Sequence, residues 1–464
     1  MVSVPAVVIA APASGSGKTT VATGLIGALR RAGHRVAPFK VGPDYIDPGY
    51  HGLAAGAPGR NLDPILVGRN RIGPLFRHGS TGSDISVVEG VMGLFDGKID
   101  AGSAGDAIAE GSTAAVAALL GAPVVLVIDA RGHSQSLAAV LHGFATFDSG
   151  VRIGGVILNN VASDRHEHVL RDAAERVGIP VLGVVPRMPE LEVPSRHLGL
   201  IPAVEHGRNA VDAVDAMTTL IGKHVQLDAV VSLARSDVGP QRWNASEVGD
   251  AVDASPVVAI AGGAAFTFGY AEHRELLAAA GARVITVDPL HDVLPDDVAA
   301  LVLPGGFPEA HAADLSANHV LLQQVYDLAG RGMPIYAECA GLLYLARSLD
   351  GVPMAGVLDA EAVFGARLPL GYREAVALTD SSLWRAGERV AGHEFHRTRL
   401  TAAPPDGAWA WRTWEGVGTR DGFVQNNVHA SYLHTHPAGN PHAVGRFVRT
   451  AAAHAADRAR VAHG

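Results

Sequence analysis

At 464 residues, with 48% hydrophobic and 18% charged residues, the chain is too apolar to be disordered and long enough for two or three domains, each with its own core. A net charge of −9 with no Lys/Arg-rich block argues against nucleic acid as the main partner, and no apolar run is long enough for a membrane-spanning helix. The single cysteine, Cys339, excludes an intrachain disulfide and fits a reducing compartment, with the cytoplasm as the default.

From residue 1 to about 225, short aliphatic runs alternate with helical stretches, which predicts an α/β domain with a parallel sheet. The first strand, Ala6–Ala10, passes into Ala11-Pro-Ala-Ser-Gly-Ser-Gly-Lys-Thr-Thr20, after which Val21, Leu25, Ile26 and Leu29 recur at helical spacing. The start lacks the basic segment of a signal peptide and runs straight into this loop. Strand, Gly-rich loop and helix N-terminus together cradle phosphates. Backbone N–H groups point inward, the helix dipole favours negative charge, Lys18 reaches the outer phosphates, and the Thr19 hydroxyl is placed to ligate Mg²⁺. Ser14, Gly15, Ser16, Gly17, Lys18, Thr19 and Thr20 are the expected nucleotide-binding residues. Pro12 stands where the strict motif has Gly, but Gly15 and Gly17 still permit close backbone approach. The only lysines are Lys18, Lys40, Lys98 and Lys223, in a chain that otherwise uses Arg. A compact point charge is wanted where Lys persists, which marks Lys18 and then Lys40.

Further strands are expected at Arg35–Phe39, Ile85–Glu89, Pro123–Asp129, Gly154–Leu158 and Val181–Val185. Ligands of such sheets bind at the carboxyl ends of the strands. Lys40-Val-Gly-Pro-Asp-Tyr-Ile-Asp47 follows the second strand, and Glu89-Gly-Val-Met-Gly-Leu-Phe-Asp-Gly97 follows the third. Mg²⁺ takes carboxylate and hydroxyl oxygens and keeps several waters, so one or two acids beside Thr19 suffice. Glu89 is one candidate, and Asp47 or Asp44 the other. Asp44 and Asp96 also sit in ordinary turn sequences where they would cap, whereas a strand-end Glu has no capping job. Asp129-Ala-Arg131 ends the fourth strand, and Asn159-Asn160 after the fifth is a candidate contact for a nucleotide base.

Between about 222 and 255 the periodicity degrades, which predicts a linker over 226–255 with a boundary near 250. From Pro256 a second α/β pattern begins, with strands at Val257–Ala261, Arg283–Val287, Ala300–Leu303 and Pro334–Ala337, and a tail over 451–464. Its sharpest stretch is Ile335-Tyr-Ala-Glu-Cys-Ala-Gly-Leu-Leu-Tyr344. A short strand runs into Cys339 and a helix follows at once, the pattern of a nucleophile elbow. A thiol at a helix N-terminus has its pKa lowered from about 8.5. Leu303-Pro-Gly-Gly-Phe-Pro-Glu309 supplies backbone N–H groups at Gly305 and Gly306 for an oxyanion hole, and Tyr432-Leu-His-Thr-His436 offers His434 as a base. A lone cysteine is otherwise a small buried hydrophobe; the elbow and the Gly-Gly loop favour the nucleophile. In Gly392-His-Glu-Phe-His396 the two histidines have the spacing of a metal pair, but no third ligand is near, so substrate or interface contacts are expected. Trp409, Trp411 and Trp414 read as packing or an edge-strand surface.

Taken together, these residues resemble the cobyrinic acid a,c-diamide synthase family. The resemblance rests on the deviant phosphate loop, Lys40–Asp47, Arg60-Asn-Leu-Asp63, Glu89–Gly97, Arg196-His-Leu-Gly-Leu200, Leu303–Glu309, the Cys339 elbow, Gly392–His396 and Ser431–His436. It implies two α/β domains with mainly parallel sheets. A P-loop, dethiobiotin-synthetase-like ATPase (1–225) would be followed by a flavodoxin-like class I glutamine amidotransferase domain (256–450). It further implies that glutamine is hydrolysed at Cys339 with His434 as base. Ammonia then displaces phosphate from a substrate carboxylate activated by Mg-ATP, giving amides at the a and c side chains of a corrin ring. By the same resemblance, Thr19, Asp47 and Glu89 hold the metal, while Lys40, Asp44, Tyr45, Ile46 and Asp96 contact substrate or intermediate. A homodimer is left open, and no residue reads the ring metal, so hydrogenobyrinic and cobyrinic acid stand level.

Two departures stand out. Many amidotransferases of this class have Glu two residues after the catalytic His, where this chain has His436, so His434 must be oriented from elsewhere. Ala337 replaces the first Gly of the elbow, which fits a slow glutaminase. Cobyric acid synthase, a nickel-sirohydrochlorin diamide synthase and a partitioning-type ATPase are the competing readings. The last has no use for a cysteine elbow.

Overall fold

The computed structural model describes residues 5–99, 108–187, 195–196, 199–200, 202–405, 407–413 and 418–463. It divides into two compact units, Met1–Trp243 and Asn244–Gly464. No helix among the described residues is long and apolar enough to cross a membrane.

In the first unit the strands are β1 (Ala6–Ala10), β2 (Val36–Val41), β3 (Arg60–Leu62), β4 (Ile85–Glu89), β5 (Val124–Asp129), β6 (Ile153–Val161) and β7 (Val181–Pro186). They form one parallel sheet in the order β3-β2-β4-β1-β5-β6-β7. Strands buried on both faces read as continuous aliphatic runs, and β1, Ala-Val-Val-Ile-Ala, is 0% exposed throughout. Its central place puts the phosphate loop at the middle of the sheet's carboxyl edge, ahead of helix α1 (Lys18–Arg31). Helix α2 (Asp47–Ala55) begins where the loop after β2 ends. A two-stranded ribbon, β8 (Ser195–Arg196) and β9 (Gly199–Leu200), carries the backbone of the Arg196–Leu200 motif; residues 197 and 198 lie outside the described residues.

The expected linker is not a spacer. It contains the helix Leu227–Leu233, and the polar stretch after it is fastened to the first unit. Arg235 N donates to Ala6 O (3.0 Å), Asp237 N to Leu120 O (2.8 Å) and Trp243 N to Pro74 O (3.1 Å). Val238 and Trp243 are buried, and Trp243 meets His78 edge-on at 4.9 Å. The segment lacks periodicity because these anchors are single residues; the boundary falls at 243/244.

The second unit contains β10 (Val257–Ala261), β11 (Arg283–Val287), β12 (Val298–Leu303) and β13 (Ile335–Glu338). The short β14 (Ser348–Leu349), β15 (Val352–Pro353) and β16 (Glu361–Phe364) come next, then β17 (Leu370–Ala377), β18 (Arg389–Phe395) and β19 (Thr398–Leu400). Last are β20 (Trp409–Thr413), β21 (Arg420–Gln425), β22 (Val428–Ser431) and β23 (His434–Thr435). The main sheet runs β11-β10-β12-β13-β22-β21-β20-β17-β18-β23. Only its first half is parallel; from β22 onward every pairing is antiparallel, so the sheet is mixed and not mainly parallel. Residues 451–463 are no tail either. They are the last turns of the helix Pro441–His463, whose Phe447, Val448 and Ala451 are fully buried. Trp411 is buried with its Nε1 donating to Ser431 Oγ (3.2 Å), as packing requires, while Trp409 carries the Arg420 guanidinium over its ring. Trp414 lies outside the described residues.

Candidate active sites

In the first unit the loop after β1 is braced from β6. Asn159 Nδ2 donates to Ser16 O at 3.0 Å, and Gly17 caps α1 at φ 91 so close to it that a Cβ there would lie 2.3 Å from Asn159 Nδ2. Asn159 thus braces the loop through one N–H, and Asn160 Nδ2 donates to Asp129 Oδ1 (3.1 Å), whose carboxylate also pairs with Arg131. Ser14 and Gly15 are exposed, and nothing lies within 4 Å of where a Gly15 Cβ would sit, which leaves that backbone open to a ligand. Lys18 Nζ donates to Met92 O (2.6 Å) and Ala13 O (3.3 Å) across the loop. Burial, then the neighbouring Lys40, lowers its pKa.

Below Lys18, five side chains from four elements meet. Thr19 Oγ1 donates to Glu89 Oε1 (2.7 Å) and lies 3.4 Å from Asp47 Oδ2. Lys40 Nζ sits between the same two acids, 2.8 Å from Asp47 Oδ2 and 3.2 Å from Glu89 Oε1, and donates to Gly90 O. His51 Nε2 lies 2.7 Å from Glu89 Oε2, with both side chains essentially unexposed. Burial would discharge Lys40, but Asp47 and Glu89 outweigh it and keep the ammonium charged. Burial and Glu89 push the Asp47 carboxyl up; Glu89 resists the same burial because Lys40 and His51 hold it well below the usual carboxylate range. Among the described residues no three His, Cys, Asp or Glu side chains are grouped for a metal ion. Two carboxylates and a hydroxyl, all hard oxygen donors, nevertheless suit Mg²⁺, which fills its shell with water and phosphate.

The remaining expected residues divide. Asp44 Oδ1 accepts from Ile46 N (2.8 Å) and Asp47 N (2.9 Å), which makes it the turn former ahead of α2, and Ile46 is buried. Asn61 Nδ2 ties Gly42 O and Asp44 O together and so shapes the loop that presents Tyr45. Asp96 Oδ2 accepts from Gly93 N (2.9 Å), and the residue is exposed. His51 was missed by sequence reasoning, although its i, i+4 spacing from Asp47 on α2 places both on one helix face.

In the second unit Cys339 has φ 47 and ψ −98, a conformation that side chains avoid, between β13 and the helix Ala340–Leu345. Its N–H donates to Ser431 O (2.8 Å), and Sγ lies 3.9 Å from Phe395 O. A Cβ on Gly341 would lie 2.2 Å from Leu303 O, so the helix start presses on the end of β12. Ala337, at the other glycine position of the elbow motif, is plain buried strand and needs no glycine. The expected lowering of the thiol pKa is not what the site produces. Burial and then Glu309 push Cys339 well up, and the Ala340 N–H does not offset them. Such a thiol needs a base.

His434 is buried on β23, opposite His393 of β18, with the two rings stacked at 4.9 Å. A Cβ on Gly305 would lie 2.4 Å from His434 Cε1, so the Gly-Gly loop and the histidine are packed together. A Cβ on Gly306 would lie 2.1 Å from Ala265 O. Glu338, also missed in the sequence, ends β13 with Oε2 3.7 Å from His434 Nδ1. His396 stacks on Tyr432 at 3.8 Å and bonds Thr398 O through Nδ1, so it and His393 face different partners and form no metal pair. A groove of about 600 Å³ beside Tyr432 is lined by His396, Arg397, Arg399 and Arg420.

Residues 7–201 match the family described as CobQ/CobB/MinD/ParA nucleotide binding domain, and residues 257–441 the CobB/CobQ-like glutamine amidotransferase domain. The chain is 60% identical to the hydrogenobyrinate a,c-diamide synthase of Mycobacterium tuberculosis, over 97% of this chain and 98% of that one. It is 54% identical to the protein of that name from Streptomyces coelicolor, over 96% and 97%. It is 40% identical to the cobyrinate a,c-diamide synthase of a Synechococcus strain, over 96% and 98%.

Proposed function

The chain belongs to the a,c-diamide synthase family, and from that premise we propose that it amidates the a and c carboxylates of hydrogenobyrinic acid, the metal-free ring, with ATP and glutamine. It is an amide-forming ligase of cobalamin biosynthesis, and the cytoplasm is the compartment that suits its lone thiol. The choice of ring is supported by the names of the relatives at 60% and 54% identity, against cobyrinate at 40%. The observation that carries the reading is that one chain pairs a braced phosphate loop over the Thr19–Asp47–Glu89 oxygens with a left-handed Cys339 elbow whose histidine packs on Gly305.

In the glutaminase half, His434 takes the Sγ proton of Cys339, and the thiolate attacks the glutamine side-chain carbonyl. The N–H groups of Gly305 and Gly306 face the resulting oxyanion. Collapse breaks the C–N bond, the imidazolium returns its proton to the leaving nitrogen as ammonia, and water then cleaves the thioester to glutamate. The arginine-lined groove suits the α-carboxylate of glutamine.

In the synthetase half, the backbone from Ser14 to Thr20 and the Lys18 ammonium hold the phosphates of ATP. Thr19, Asp47 and Glu89 would hold Mg²⁺, which supplies neutralisation of phosphate charge. A substrate carboxylate attacks the γ-phosphorus, ADP leaves, and ammonia displaces phosphate from the acyl phosphate to give the amide. On this reading Lys40, released from its acids, follows the developing charge, and Tyr45 and Asp96 contact the substrate from loops that Asp44 and the buried Ile46 help to shape.

Mass spectrometry after incubation with Mg-ATP, glutamine and either ring acid is the test. Two carboxylate-to-amide conversions, faster on the metal-free ring, are expected; no conversion of either ring overturns the substrate. Cys339→Ala should lose glutamine-dependent amidation and keep the ammonia-dependent reaction. Retention of both would remove Cys339 from the mechanism.

A further inference from the structure

We propose that Glu338 is the carboxylate that positions His434, taking over from the acid missing at position 436. The inference rests on the assignment of Cys339 and His434 as the glutaminase pair.

His436 is turned elsewhere. It is buried, its ring lies on Tyr270 at 4.0 Å, its Nε2 is 4.0 Å from Glu272 Oε2, and its Nδ1 accepts from Ala438 N (3.2 Å). Glu338, by contrast, is 7% exposed and fixed on one side only. Oε1 accepts from Tyr336 Oη, from Thr435 N (2.9 Å) and from Thr435 Oγ1 (3.2 Å). Those donors leave Oε2 aimed at His434 Nδ1, 3.7 Å away. Tyr336 precedes Glu338 by two residues on β13 and Thr435 follows His434 on β23, so nucleophile, acid and base are locked to each other through adjacent backbone. Two rings also stand against His434, the titratable His393 on β18 at 4.9 Å and the apolar Phe268 at 6.4 Å, and His396 is a further titratable group within its electrostatic reach.

Closed to hydrogen-bonding distance, this pair sets a tautomer. A carboxylate at Nδ1 keeps the proton there and leaves the Nε2 lone pair for the thiol, and it stabilises the imidazolium formed on proton transfer. Separations of this kind in ligand-free enzymes shorten in the reacting complex. Burial alone would push the Glu338 carboxyl up, yet His434, Tyr336 and Thr435 hold it below its ordinary range, so it stays ionised. The arrangement also explains a charged residue in the otherwise apolar strand Ile335-Tyr-Ala-Glu338.

Glu338→Gln should lower kcat for glutamine hydrolysis by about 10²–10⁴-fold with little change in KM. It should also shift the acid limb of the pH profile to lower pH, because the imidazolium loses its anion. Glu338→Asp should recover part of the rate, and ammonia-dependent amidation should be unchanged in both. A Glu338→Gln enzyme with the wild-type rate and profile overturns the proposal. Should that variant fail to fold, the wild-type protein gives the answer. With Cys339 alkylated by a glutamine analogue to mimic the reacting complex, a downfield Nδ1–H proton resonance lost in His434→Asn and retained in His436→Asn is expected, and its absence from the alkylated wild-type enzyme at low pH overturns the proposal. If Cys339→Ala behaves as expected while Glu338→Gln is silent, only the positioning role falls; if Cys339→Ala is itself silent, the glutaminase pair falls with it.

Discussion

Replacing Gly305 by alanine tests the second site with a single methyl group. The backbone there is not in the left-handed region, so alanine can adopt it and the effect is steric. The new Cβ would lie 2.4 Å from His434 Cε1 and 3.1 Å from Phe268 Cβ and Cδ2. Carbon atoms rest about 3.5 Å apart or more, so the imidazole must retreat by roughly 1 Å. A 1 Å misplacement of a catalytic group costs about 10²-fold, or about 2.7 kcal/mol in the barrier. Overpacking adds about 1–3 kcal/mol of lost stability. The assay is glutamate release from glutamine beside ammonia-dependent amidation by the same preparation, with denaturant unfolding as the stability readout. We expect kcat/KM for glutamine to fall about 100-fold while the ammonia reaction holds. A Gly305→Ala enzyme with full glutaminase activity would refute the packing of His434 on this loop and, with it, the assignment of His434.

In the first unit, Lys40→Met leaves Asp47 and Glu89 buried without their cation and should cost about 3–5 kcal/mol in urea unfolding, partly recovered by added Mg²⁺. An unchanged midpoint would mean that the acids are not paired through Lys40. His51→Ala frees Glu89 Oε2 from its buried partner and should weaken Mg-dependent nucleotide binding about 10-fold in a titration, with undiminished affinity counting against it. For Cys339, a thiol raised above its ordinary value is neutral throughout the physiological range, and its thiolate fraction grows as pH rises. Alkylation of the free enzyme should therefore climb through pH 9 without levelling, and a plateau below about pH 8 would show a helix-activated thiolate instead.

Much of the first unit was legible from short segments. The aliphatic run Ala6–Ala10 can only be a doubly buried strand, and the Ser/Gly stretch after it must be a loop and a helix start. Thr19, Glu89 and Asp47 could be named because each lies in the first or last turn or residue of an element at the same sheet edge. The structure separates Asp44 from Asp47 where the sequence could not, since both fit a turn, and only the bonds from Ile46 N and Asp47 N give Asp44 the capping role. The antiparallel half of the second sheet was illegible because strands such as β17, Leu-Gly-Tyr-Arg-Glu-Ala-Val-Ala, interrupt their alternation with Gly and charge. The thiol's direction of shift was misread for a related reason: helix position is local and visible, whereas burial against Glu309 is not. Glu338 was hidden in plain view, because a residue beside the nucleophile in sequence becomes informative only when strand pairing brings β22 and its continuation alongside it.

The left-handed backbone at Cys339 sets stability against activity at one residue. A side chain held at φ 47 stores about 1–3 kcal/mol, which glycine would release at a loss of about 1 kcal/mol through the greater freedom of the unfolded chain. Glycine would also remove a thiol that is 4% exposed, and the lost buried packing offsets the released strain, so Cys339→Gly discards the nucleophile without a matching gain in the fold. The strain held at this residue goes into aiming the thiol rather than into holding the domain together.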